Sequence, residues 1–189
     1  NALERAVINS PGDSDCWAEL ANRYTSAYEH GYGEALGLLD RALAAAQKSV
    51  DLAPSNHYAF HALAHVLFFR REWAAFHPAA ERALILNPND AAVMYHIGVL
   101  VALSGNWERG LSLSFRASEM NPHYPGHLWL GHALDAFRRR DFEAGLEVAL
   151  RVRCPGVYWD PILRAVFHSE LGHQEEARRA VDELLRLKP

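Results

Sequence analysis

Three prolines, Pro54, Pro88 and Pro122, stand 34 residues apart, and Leu52, Leu86 and Met120 each precede one of them by two positions. Trp73 and Trp107 share that spacing, and so do Ala83 and Ala117. Coincident anchors at one period mean a repeated unit, too small to bury its apolar face alone. The stretch 91–124 shows what the unit is. Met94, Ile97 and Val101 recur at helical spacing, with Leu100 and Leu103 widening the stripe. Ser104-Gly105-Asn106 interrupts it, and Gly105 can take the positive φ that ends a helix. A second helix is expected over Trp107–Met120. It stops at Asn121-Pro122, because the residue before a proline is driven out of the α region.

A helix–turn–helix unit with this period resembles the tetratricopeptide repeat, or TPR, family. Its first-helix positions are matched by Trp17, Leu20, Ala21 and Tyr24, then by Phe60, Leu63, Ala64 and Leu67, then by Met94, Ile97, Gly98 and Val101. Gly110 and Gly145 stand on second helices where the family prefers Ala. The resemblance implies an all-α fold, a right-handed α-solenoid of about eleven helices forming a single array over 1–189. It divides into the second helix of a truncated repeat (1–13), an extended repeat (14–56) and four further units at 57–90, 91–124, 126–157 and 158–189.

Local departures carry their own expectations. Ala6 and Leu3 fall on second-helix positions counted back from Pro11, so a first helix is missing and the chain reads as cut from a longer protein. Such an orphan helix would leave Leu3 and Val7 uncovered. Nine extra residues around His30-Gly31-Tyr32-Gly33 lengthen the first full repeat. Pro78 requires its helix to start late, near His77, or to kink. The turn Arg139-Arg140-Asp141 lacks Gly. Asp160-Pro161 reads as an N-cap followed by the first helical residue. Over 174–187, Ala177, Ala180, Val181, Leu184 and Leu185 share one side and the charges the other, as a soluble solenoid end needs.

Composition excludes several function classes. Net charge is -4, and Arg138-Arg139-Arg140 is the one basic cluster, so nucleic acid is not an expected partner. No apolar run is long enough to cross a membrane. Cys16 and Cys154 are far apart and outside any metal spacing, which suits a reduced, cytoplasmic compartment. No phosphate loop or nucleophile elbow is present, so no enzyme, catalytic residue or cofactor is expected. His57, His61 and His65 recur every four residues on one helix face, and His96 could approach from the next first helix. The set is read as groove or core; metal binding, which needs three or four ligands, is the alternative, and no metal site is assigned.

In the TPR family the first helices line a concave groove that holds peptides or partner helices. Carried onto this chain, the lining would be Asn22, Tyr58, His61, His65, Phe69, Tyr95, Val99, His127, Leu134 and Arg138. It is aromatic and His-rich, without the Lys/Asn set of members that clamp a terminal carboxylate. The resemblance therefore implies a non-catalytic scaffold for a protein or peptide partner. The alternative is that these side chains merely pack between repeats. A second function reading is self-association, as a homodimer through the end helices. The linkers at 121–126 and 155–159 look similar to arrays in bacterial signalling proteins, joined there to a nucleotide cyclase or a winged-helix domain.

Overall fold

A computed structural model describes residues 2–31, 37–121, 129–152 and 157–187. Among them are eleven helices: α1 (Ala2–Asn9), α2 (Ser14–Glu29), α3 (Leu38–Leu52), α4 (His57–Phe69), α5 (Trp73–Leu86), α6 (Ala91–Leu103), α7 (Trp107–Met120), α8 (Leu130–Arg139), α9 (Phe142–Ala149), α10 (Trp159–Glu170) and α11 (Gln174–Leu187). The described residues form no strand. The architecture is an α-solenoid. Each of α2/α3, α4/α5, α6/α7, α8/α9 and α10/α11 packs as a pair, and each pair lies on its neighbour, α4 on α2 and α3, α6 on α4 and α5. A hydrogen bond between described residues departs from this order: Tyr158 Oη lies 2.7 Å from His30 Nδ1, tying the entrance of α10 to the exit of α2.

The same chemistry starts and stops successive helices. Asp13, Asn56 and Asp90 cap α2, α4 and α6 by accepting amide hydrogen bonds from the first turn. Asp90 accepts from Ala92 and Val93 at 3.0 Å each, and its other oxygen meets His57 Nε2 at 3.0 Å. Asp90→Ala is therefore expected to cost about 1–2 kcal/mol, read as a lower urea midpoint. An unchanged midpoint would show that the cap is idle.

Four of the turns inside pairs close alike. Glu72 donates to the Leu67 carbonyl, Asn106 to Val101, Asp141 to Ala136 and His173 to His168, each five residues back. The residue before each donor is left-handed: Arg71 (φ 59°), Gly105 (φ 114°), Arg140 (φ 61°) and Gly172 (φ 76°).

How closely a pair approaches depends on one slot in its second helix. A Cβ on Gly110 would lie 2.4 Å from both the Ala102 nitrogen and the Gly98 carbonyl oxygen, so α6 and α7 touch backbone to backbone. A Cβ on Gly145 would lie 2.0 Å from Phe167 Cε1, so that ring of α10 fills the missing side chain. In α5 the slot holds Phe76, which is fully buried.

Four expectations need correction. Helix α5 does not start late near His77; it runs from Trp73 to Leu86 with Pro78 inside it. Leu3 and Val7 are not left open, since Val7 is buried and Leu3 packs with it in the cluster around α2 and α3. Glu4 fastens this end by accepting hydrogen bonds from Tyr24 and Arg41. Asp160 is not a cap: α10 begins at Trp159, and the Asp160 carboxylate accepts from Arg164 one turn on, at 2.7 Å. The apolar side of α11 is covered in part: Ala180 is buried and Ala177 and Leu184 half-buried, while Val181 and Leu185 are exposed. Of the insertion around His30-Gly31-Tyr32-Gly33, Tyr32 and Gly33 lie outside the described residues, as does the exit Cys154-Pro155-Gly156.

Candidate functional site

Helix α4 carries a continuous row of rings. Tyr58 stacks on His61 (5.5 Å between centroids), His61 on His65 (6.3 Å), and His65 meets Phe69 edge-on (5.5 Å). Spacing of three or four residues puts them on one helix face. The flanking first helices fasten the row. From α2, Glu19 accepts a hydrogen bond from the Tyr58 hydroxyl at 2.7 Å, and the Asn22 side-chain oxygen accepts from His65 Nδ1 at 3.2 Å. From α6, His96 Nδ1 lies 2.6 Å from His61 Nε2, one of the two nitrogens donating. Two ring nitrogens in this cluster, His61 Nδ1 and His65 Nε2, are buried without a hydrogen-bond partner. Glu29 Oε2 is 3.7 Å from the latter.

The environment holds His61, His96 and Tyr58 neutral. Burial, then the neighbouring His65, pushes His61 down to about 3, Asp90 only partly opposing. Burial pushes His96 well below the usual histidine range, with His65 and His61 adding to it. Burial and the Glu19 carboxylate push Tyr58 up to about 12. The consequence for stability has a definite sign. Once unfolded, His61 takes up a proton near pH 6.5, which the folded chain refuses until about pH 3. Stability is thus complete above the first value and is lost as the pH falls through this window. By about pH 5 the loss is about 2 kcal/mol from His61 alone. Urea midpoints compared at neutral and mildly acid pH measure it; equal midpoints would contradict it.

The candidate lining residues divide by exposure. His61, His65, Tyr95 and Val99 are buried; Asn22, Tyr58, Phe69 and Leu134 are half-buried. Arg138 is exposed, lies over the Trp107 ring at 5.0 Å and pairs with the buried Asp135 at 2.7 Å. His127 lies outside the described residues. The structure thus brings Asn22, Tyr58, His61, His65 and Phe69 into one patch, with the Arg138 ion pair on α8. Glu19 and Glu29 hold the α4 patch and Asp135 holds Arg138 and Arg139 on α8; none of the three is among the sequence candidates. Their one signal in the sequence is a carboxylate on a first helix. Among the described residues no three His, Cys, Asp or Glu side chains converge as a metal site. No described helix is long and apolar enough to cross a membrane.

Neither a protein-family model nor a curated protein matches the sequence. Solved structures do match in shape. YrrB, described as a TPR protein with an unusual peptide-binding site, is 19% identical and superposes with a TM-score of 0.55 over 100% of this chain and 93% of its own. PilF of Pseudomonas aeruginosa is 17% identical, with a TM-score of 0.71 over 93% of this chain and 78% of its own. The human IFIT1 dimer with m7Gppp-AAAA is 17% identical, with a TM-score of 0.78 over 99% of this chain and 44% of its own. With the turn and cap pattern repeated from pair to pair, this likeness gives the chain the fold of a tetratricopeptide-repeat α-solenoid.

Proposed function

We propose that the chain is a non-catalytic scaffold that holds a peptide or a partner helix along the first-helix face, as a regulatory segment of a larger bacterial signalling protein acting in the cytoplasm. The observation that carries it is the ring row of α4, whose buried histidines stiffen a strip from which Tyr58 and Phe69 remain accessible. An apolar strip of preset shape suits a partner segment, which then need not pay to order the receptor. Peptide binding in YrrB supports the reading; the capped oligonucleotide of IFIT1 points elsewhere, but this chain has net charge -4 and only one basic cluster. The reading assigns no catalytic residue and no cofactor.

Selection from a random phage-displayed peptide library tests this. The selected peptides should carry large apolar side chains, and Phe69→Ala with Arg138→Ala should weaken them about tenfold, roughly the 1.4 kcal/mol that truncating a contact of this kind removes. Equal affinity for both proteins would remove the face from consideration. Self-association is a second reading, supported by Val181 and Leu185, exposed on α11. Sedimentation showing a monomer at high concentration rejects it.

A further inference from the structure

The left-handed slot of the turns is filled by glycine twice and by arginine twice. Arginine strains there, because its Cβ crowds the backbone at positive φ. Arg140 lies over the Phe142 ring at 5.8 Å. Arg71, by contrast, is exposed, and its side chain makes no hydrogen bond, ion pair or ring contact with any described residue. Its neighbour Arg70 is fully engaged, with Asp40 and Glu72. An unpaired cation kept at a strained position, where glycine serves elsewhere, points to a use.

What lies beside it says which. Arg71 lines a pocket of about 370 Å³ whose other walls are Tyr28, Phe68, Phe69 and Trp73. The rings are packed edge-on: Tyr28 to Phe69 at 6.1 Å, Phe68 to Phe69 at 5.3 Å, Phe68 to Trp73 at 5.5 Å. Neither the Tyr28 hydroxyl nor the Trp73 indole N–H has a partner among the described residues, and both side chains are about two-fifths exposed. The nearby carboxylates face other groups, Glu72 towards Arg70 and Glu29 towards His65. The pocket therefore offers aromatic walls and three free donors, one of them cationic.

We propose that Arg71 and the Tyr28, Phe68, Phe69 and Trp73 rings form a binding site for a peptide segment in which a large apolar side chain stands beside an Asp or Glu. The apolar side chain enters between the rings, and the carboxylate accepts from the Arg71 guanidinium. The site goes beyond the groove reading and shares only Phe69 with it; Arg71 and Trp73 stand outside the groove lining, so Arg71→Gly and the Trp73 signal test this site separately.

The test follows the Trp73 indole N–H by NMR, assigned with Trp73→Phe, during titration with Ac-Phe-Glu-NH2, Ac-Phe-Gln-NH2 and Ac-Ala-Glu-NH2. The first should shift the signal with millimolar affinity, and each of the others should bind about fivefold or more weakly, as expected when one of two recognition elements is lost. In Arg71→Gly the melting temperature should rise, since the strain is relieved, and Glu should no longer be preferred over Gln. Arg140→Gly relieves the same strain outside the pocket and should keep the preference. The proposal is overturned if the first peptide causes no shift, if Glu and Gln bind alike to the unaltered protein, or if Arg71→Gly still tells them apart.

Discussion

Gly110→Ala is expected to lower stability by about 3 kcal/mol or more, although it adds one methyl group and raises helix propensity. The new Cβ would lie 2.4 Å from the Ala102 nitrogen and from the Gly98 carbonyl oxygen. These are backbone atoms of α6, so no side chain can rotate away; the helices must separate, and the contacts around Leu113 and Ala117 separate with them. The overpacking cost thus arises already with alanine, the residue the family prefers at this position. Gly131→Ala is the control. Its Cβ would meet nothing closer than Val99 Cγ2 at 3.7 Å, so the propensity gain survives and stability should rise by about 0.5–1 kcal/mol. Urea unfolding of the two variants decides: equal midpoints would mean that α6 and α7 are not in backbone contact.

Phe76→Ala is expected to cost about 3–5 kcal/mol, even though alanine is what the repeat pattern prefers at that position. Phe76 is fully buried, with Phe68 at 5.7 Å, Trp73 at 6.3 Å and His77 at 4.9 Å between ring centroids. The α4/α5 spacing is set by this ring, and the aromatic cluster around it holds that spacing open when the ring is removed. A cavity that cannot collapse carries the full penalty. Denaturation of Phe76→Ala measures it. A loss below about 1 kcal/mol would mean that the pair closes up as α6 and α7 do.

These two residues show what a reader of the sequence can and cannot see. The period and the limits of α7, Trp107–Met120, are legible because Gly105 and Pro122 act locally, through φ and through the residue before proline. Pro78 misleads because local preference speaks for interrupting the helix, while burial of Phe76, Ala79 and Ala80 holds it together. Arg71 is invisible as a turn residue until it is set 34 positions before Gly105. The face bearing Tyr58, His61, His65 and Phe69 follows from helical spacing, but depth does not. Whether His61 or Tyr95 is open depends on first helices more than 30 residues away. The pairing of Glu19 with Tyr58 and of His61 with His96 needs the relative rotation of those helices, which no single repeat encodes.

The bond between Tyr158 and His30 changes what kind of object this is mechanically. A stack of units joined only in sequence order behaves like a coil spring, free to stretch, twist and peel from either tip. A strut between two distant turns of that spring, here one hydrogen bond worth about 1 kcal/mol, resists a change in their separation. Bending then has to be shared by everything between α2 and α10, and a guest that wedges the arc wider must first break the strut.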